Sequence, residues 1–310
     1  MSTSIYTHSA CLDHRPGPHH PESPQRLEAV LQALDDPEFA AAKRCDAPRG
    51  TRQQILLAHS GAYVDAVEEA VPNQGFRALD GGDTIMSPGS WEAVLRCVGA
   101  ACAAVDSVVS GQARNAFCAT RPCGHHAEAN RAMGFCIFNQ AAIAALHARA
   151  AHGLRRVAVV DFDVHHGNGT QNCFYDDPDL FYGSSHQAPF YPGTGARGES
   201  GVAGNIVNIP LQQGCDSATF RRHMRTLMLP ALRDFAPELL VISAGFDAHH
   251  LDPLGGLGLT DDDFHWVTRE LMSVAEECSR SRVVSTLEGG YSLQGLASGT
   301  AAHVRALMQA

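Results

Sequence analysis

No run of about 18 apolar residues occurs in the 310-residue chain, which argues against a membrane-spanning helix. The opening MSTSIYTHSACLDH lacks the basic and then apolar pattern of a secretory signal, so the expected location is cytoplasmic. A basic stretch is missing too. With 23 Lys and Arg against 33 Asp and Glu the formal charge is −10, which disfavours direct nucleic-acid binding and suits a cationic substrate. There is no CxxC pair: the ten cysteines are scattered, so neither a disulfide framework nor cysteine-held zinc is expected, and they read as reduced core thiols. Internal repeats, low-complexity tracts and a Pro/Ser linker are lacking as well, and residues 1–310 are expected to form one domain.

What is present alternates. Apolar runs at 115–119, 157–160, 180–184, 239–243 and 283–287 have the length and content of buried strands. Between them lie helical patterns: alanine-rich 140–151; 220–235, with Met224, Leu227, Met228 and Leu232 at helical spacing; and a stripe of Phe264, Val267, Leu271 and Val274. Thr260 is expected to cap that last helix, with Asp261 to Asp263 in its first turn. Strands alternating with helices predict an α/β fold, a single domain with a mainly parallel sheet sandwiched by helices.

The stretch VVDFDVHHGNGTQ, 159–171, then needs explaining. A core strand runs straight into Asp161, Asp163, His165 and His166, although buried carboxylates are costly unless paired or metal-bound. Three further strands end alike: RPCGHHAE with His125 and His126, VISAGFDAHH with Asp247, and VVSTLEGGY with Glu288 and Tyr291. Ligands gather at the carboxyl ends of parallel strands, so these four ends are expected to build one site. Asp163 and His165, two apart, point to the same side of an extended backbone. With Asp247 they make a carboxylate, carboxylate, imidazole set that leaves positions open, as a catalytic zinc requires. Spacing alone leaves open whether Asp161 or Asp163 holds the metal, and buried acids satisfied by hydrogen bonds are the plainer alternative. His125 and His126 are placed as acid/base groups, and Tyr291, on a Gly289–Gly290 backbone read as flexible, as an oxyanion donor. His19–His20, in a Pro-rich loop, are not expected to act in catalysis, and His249–His250 are expected to line the rim rather than bind metal.

RPCGHHAEANRAMGFCIFN, VVDFDVHHGNGTQ, FYPGTGARGE, SAGFDAHHLDPLGG and LEGGYSL together resemble the successive signatures of the histone deacetylase superfamily. HGNGTQ and EGGY place the chain nearer the class II branch, with its bacterial deacetylase-like amidohydrolases; the likeness runs from about His8 to the final helix. The resemblance implies Zn2+ on Asp163, His165 and Asp247. It makes His126 the general base and acid, His125 its electrostatic neighbour paired with Asp161, and Tyr291 the carbonyl-polarising tyrosine. Phe135 and Tyr191 would wall an acyl-lysine tunnel, with Gly134 on its floor. A structural K+ would use backbone oxygens of Asp161, Asp163 and His165 with Ser184 and Ser185, and Arg26 would line an internal acetate channel.

Two departures stand out: Asn168 where class I members carry aspartate behind the second histidine, and Cys123 in place of a proline, read as filler or as an oxidation-sensitive thiol. Leu254 matches a tunnel-rim position where a polyamine-specialised relative has glutamate, while Asp83 and Asp252 are other rim acids. The implied activity is metal-assisted hydrolysis of an acylated amine (an acetyl-lysine peptide, an acetylpolyamine or a small amide), releasing acetate. An arginase-type enzyme would need two manganese ions and an aspartate-rich DxHxD pattern, whereas HHGNG follows here. A non-catalytic acyl-lysine binder would be expected to have lost His126 or Tyr291. A homo-oligomer is compatible with the sequence, which does not set the oligomeric state.

Overall fold

A computed structural model describes residues 2–309. Among the described residues ten strands and ten α-helices follow one another, with three short 3-10 or π segments between them. The strands are β1 (Thr3–Thr7), β2 (Lys43–Asp46), β3 (Arg77–Ala78), β4 (Ile85–Met86), β5 (Asn115–Cys118), β6 (Val157–Asp161), β7 (Leu180–Gln187), β8 (Ile206–Leu211), β9 (Leu239–Ala244) and β10 (Val283–Leu287). The helices are α1 (Pro24–Leu34), α2 (Arg52–Ile55), α3 (Gly61–Glu69), α4 (Ser90–Val109), α5 (Gln140–His152), α6 (Asn168–Phe174), α7 (Ser217–His223), α8 (Leu229–Phe235), α9 (Asp261–Cys278) and α10 (Leu293–Met308).

Eight strands form one sheet in the order β2-β1-β5-β10-β9-β6-β7-β8, and every pairing within it is parallel. Parallel strands need crossovers, and the intervening helices cover both faces. The two-residue period of β6 divides its side chains between two cores. Ala158 and Val160 join a cluster with Phe162, Phe246 and Phe264. Val157 and Val159 face the opposite side, among alanines of α4 and α5. The small side chains of α5 let that helix lie close to the sheet.

All five expected strands form, within a few residues of their expected ends, and α5 occupies its expected range, capped by Asn139 and ended by Gly153 at φ 65°. The α9 stripe is buried, and Thr260 caps the helix in a reciprocal box with Asp263. Strands β1, β2 and β8 lie outside the five. β2 is a polar edge strand and β8 carries Pro210, tolerated because β8 is the other edge. The expected helix over 220–235 is not regular. It breaks into α7, a π-helical turn at Met224–Met228, and α8. Pro230 offers no N–H to the ladder, and the wider turn before it absorbs the lost bond. Among the described residues no helix is long and apolar enough to cross a membrane.

Candidate active site

Strands β5, β10, β9 and β6 are consecutive neighbours in the sheet. Their carboxyl ends therefore lie side by side, and the four motifs that follow them meet at one rim. A cavity of about 140 Å³ opens there, lined by Asp83, His126, Gly134, Phe135, His165, Tyr191, Leu254 and Tyr291.

At its base Asp163, His165 and Asp247 converge. His165 Nδ1 lies 3.1 Å from Asp163 Oδ1 and 3.1 Å from Asp247 Oδ2. Each carboxylate is aimed by backbone donors: Gly289 N–H donates to Asp163 Oδ2 at 2.8 Å, and Val164 N–H donates to Asp247 Oδ1 at 2.8 Å. Four-coordinate zinc takes N and O donors at 2.0–2.2 Å, so donors at tetrahedral angles stand about 3.3–3.6 Å apart, a few tenths of an ångström beyond the spacing here. The residues present fit such an ion. Asp161 does not join them. Its Oδ2 accepts from Tyr182 at 3.1 Å and pairs with His125 Nδ1 at 2.9 Å. The alternative that spacing left open is thus divided by geometry, with Asp163 grouped with His165 and Asp247 and Asp161 behind His125.

The electrostatics follow from burying acids together. Burial, reinforced by the charge of Asp163, pushes Asp247 up to about 7. Burial alone would lower His165, but its bonds to Asp163 and Asp247 outweigh that and raise it to about 10. Burial would likewise lower His125, yet the charges of Asp163 and Asp161 carry it well above the ordinary imidazole value. His126, whose ring centroid is 4.0 Å from that of His125, goes the other way. Burial and then the positive charges of His125 and His165 hold it well below that value. The two neighbouring imidazoles are thus shifted in opposite directions, which separates their possible roles.

Asn168 fixes which nitrogen of His126 carries the proton. Asn168 Nδ2 donates to Glu128 Oε1 at 2.8 Å, so Oδ1 is the atom facing His126 Nδ1 at 2.9 Å. An acceptor there requires Nδ1–H, leaving Nε2 with its lone pair free to accept. Gly134, at φ 55°, stands directly against the His126 ring and Tyr191, where a Cβ would press into both. Tyr191 meets the His126 ring edge-on at 5.2 Å, and Phe135 meets Tyr291 edge-on at 5.9 Å.

Several roles differ from expectation. The Gly289–Gly290 backbone is pinned rather than flexible: Arg26 donates to the carbonyls of Gly290 at 2.5 Å and Glu288 at 2.6 Å. A Cβ on Gly289 would collide with the carboxylates of Asp247 and Asp163, so this glycine serves close approach. Asp252 is no free rim acid. It is 8% exposed, and its oxygens accept from the N–H groups of Tyr291, Ser292, Leu254 and Gly255. His249 and His250 do not line the cavity; His249 is buried 3.3 Å from Asp261 and His250 leans on the Leu259 carbonyl. His20 supports the rim, its Nε2 bonded to the Asp83 carbonyl at 3.0 Å and its ring against Phe135.

Glu288, placed at the site without a role by the sequence, has one. Its Oε2 accepts from the N–H groups of Gly124 at 2.7 Å and His125 at 3.2 Å, anchoring the loop that carries both histidines. Burial raises it to about 7. Its place in EGGY, directly before the glycines, was the available signal. Ser184 and Ser185 are buried on β7, with Ser184 paired in register with Asp161. Cys123 is buried with its sulfur 3.3 Å from that of Cys136, and all ten cysteines are free thiols.

Comparison with known proteins agrees with this fold. The family profile described as histone deacetylase domain matches residues 20–307. The chain is 36% identical to histone deacetylase 14, chloroplastic, of Arabidopsis thaliana, over 98% of this chain and 76% of that protein. It is also 36% identical to a histone deacetylase-like amidohydrolase of Pseudomonas aeruginosa, over 94% of this chain and 82% of the relative. The crystal structure of the HDA15 HD domain superposes with a TM-score of 0.94 at 33% identity, covering 100% of this chain and 89% of that one.

Proposed function

Since the chain belongs to the histone deacetylase family, a family of amidohydrolases, we propose that it removes acetyl or related acyl groups from lysine-type amines, in a zinc-dependent reaction that releases acetate. The observation that carries this reading is the shared cavity. The Asp163, His165 and Asp247 donor set lies at its base, with a neutral His126 and the Tyr291 phenol in its wall.

Zinc on that donor set supplies Lewis acidity, polarising the amide carbonyl and lowering the pKa of water. His126, with its proton held at Nδ1 by Asn168, presents Nε2 to take the proton of the attacking water. Burial, with the neighbouring His125 adding to it, discourages a resting proton on Nε2 of His126 and keeps it available as a base. Burial raises the Tyr291 phenol well above its ordinary value, so it stays protonated and donates to the oxyanion as the carbonyl carbon becomes tetrahedral. His126 then returns its proton to the departing nitrogen, giving amine and acetate. Phe135, Tyr191 and Gly134 form a narrow apolar passage suited to an alkyl stem, and the chain's net negative charge favours cationic substrates. A K+ ion on the Asp161, Asp163 and His165 carbonyls with Ser184 and Ser185 belongs to the same reading, as does an acetate path past Arg26. On this reading one domain carries the whole reaction, and the proposed location is cytoplasmic.

The deciding experiment is a turnover panel on zinc-loaded protein: acetyl-lysine peptide, acetylpolyamine and small amides, with metal analysis alongside. Hydrolysis of at least one acyl amine with about one catalytic zinc per chain is expected. A protein active only with two bound manganese ions would overturn the reading.

A further inference from the structure

We propose that Asp106, His147 and His152 form a second divalent-cation site, of the zinc class, that staples the C-terminal ends of α4 and α5 far from the reaction. Asp106 lies in the last turn of α4; His147 and His152 lie in the last turns of α5. Both imidazoles aim Nε2 at one atom, Asp106 Oδ1, at 2.8 Å from His147 and 2.7 Å from His152. Positions i and i+5 of a regular helix are about 140° apart, so two such rings do not share a target by default. Here they close on the same oxygen from two sides, with ring planes 86° apart. His147 is buried to 9% exposure, and the three candidate ligand atoms all lie within 4.8 Å of one another.

The donor chemistry selects the class of ion. Two imidazole nitrogens and one carboxylate oxygen suit zinc, nickel or cobalt, whereas magnesium and calcium prefer all-oxygen sets. Binding requires each Nε2 to turn a lone pair, in place of its proton, toward the ion, with any ring proton left on Nδ1. The donors must also spread by about 0.5–0.9 Å, from hydrogen-bond to tetrahedral ligand spacing. Asp106, with its side chain 52% exposed, and His152, at the last residue of its helix, have room to do so. Both helix ends add favourable negative potential, since the macrodipoles of α4 and α5 terminate there.

Topology puts this site away from the candidate active site. α4 and α5 each precede a parallel strand, β5 and β6, and return the chain to the amino edge of the sheet. Their C-terminal ends therefore lie at the edge opposite the catalytic rim. Occupancy is expected to stabilise the α4–α5 pair without entering the chemistry.

The test compares zinc stoichiometry and melting midpoint in the parent protein, Asp106→Asn and His152→Ala, each titrated with zinc and then separated from free metal. The parent is expected to retain one equivalent more than either variant. It should show a rise in Tm with that equivalent that both variants lack, at equal turnover. Identical stoichiometry in all three proteins would overturn the proposal, as would an extra equivalent that survives both substitutions. Because the comparison reads a difference of one, it stands whether or not the catalytic site holds zinc.

Discussion

His126 Nδ1 and Asn168 Oδ1 face each other at 2.9 Å, and the Asn168 amide has no freedom to turn because its Nδ2 is committed to Glu128. A neutral partner thus fixes the tautomer of the proposed base without adding a negative charge beside it. Asn168→Asp adds that charge. A carboxylate favours imidazolium, so the pKa of His126 rises. Activity, which needs the neutral ring, should then fail at higher pH as acidity increases. The acid limb of the kcat/KM profile should move alkaline by about one unit or more. An unmoved limb would show that His126 is not the group being titrated.

Asp163→Ala, His165→Ala and Asp247→Ala should each lower metal content and abolish most turnover, because each removes one of three converging donors. Elemental analysis after gel filtration measures this. Chelators or hydroxamates should inhibit the parent protein. Retention of zinc with full activity in any of the three would exclude that residue as a ligand.

Tyr291→Phe keeps the ring packed against Phe135 but removes the oxyanion donor, so kcat should fall roughly 10²–10³-fold with metal content unchanged. Asp252→Asn tests a different relation, since Asp252 holds the Tyr291 N–H at 2.6 Å. It should lower kcat less than Tyr291→Phe does, while KM also changes because the Leu254 rim is tied to the same carboxylate. Pre-steady-state and steady-state assays on one acyl substrate separate the two effects.

Leu254 sits at the mouth of the cavity, 39% exposed. Leucine offers apolar contact to an alkyl stem, whereas glutamate there would attract the distant ammonium of a polyamine. The structure removes Asp252 as a substitute for that charge and leaves Asp83 at the rim. Acetyl-lysine peptides should therefore be preferred over acetylputrescine or acetylspermidine, and Leu254→Glu should shift kcat/KM toward the polyamines. A parental preference for polyamines of tenfold, about 1.4 kcal/mol in transition-state binding, would reverse the assignment.

Glu22 is fully buried, bridging Arg121 at 2.6 Å, Arg26 at 3.1 Å and His14 at 3.2 Å. Burial opposes its charge, but Arg121 and His14 outweigh burial and hold the carboxyl well below the usual range. Glu22→Gln strands buried cationic groups, and a loss of about 3–5 kcal/mol is expected at pH 7 from denaturant midpoints. The sign with pH follows from the depressed folded value. The contribution of Glu22 is complete above its unfolded pKa of about 4.3 and disappears as pH falls through the lower folded one. Parent and variant should converge in acid; a gap that persists there would assign the loss to packing instead.

The sequence by itself determined the fold class and the cast of the site, because both are written in local patterns. Apolar runs of strand length alternating with helical stripes allow little besides a covered parallel sheet. Acids and histidines placed directly after core strands are too costly to be incidental. Edge strands β2 and β8 escaped that reading, since a half-solvated edge needs no continuous apolar run and tolerates Pro210. The π turn before Pro230 escaped it because helical spacing in the side chains does not report the hydrogen-bond ladder beneath.

Only the tertiary structure decided which carboxylate goes where. Asp161 and Asp163 share a parity in the chain, and it is β9 lying beside β6 that brings Asp247 to Asp163 and His165 while the β5 loop brings His125 to Asp161. Tertiary packing likewise turned Asp252 from an apparent rim charge into a brace for four backbone N–H groups, and fixed the orientation of Asn168. Apart from the two local N–H groups of Leu254 and Gly255, these partners lie 36 to more than 80 residues away in the chain. Local pattern can say that a buried polar group needs a partner, but the partner's identity depends on how distant strands are ordered in the sheet.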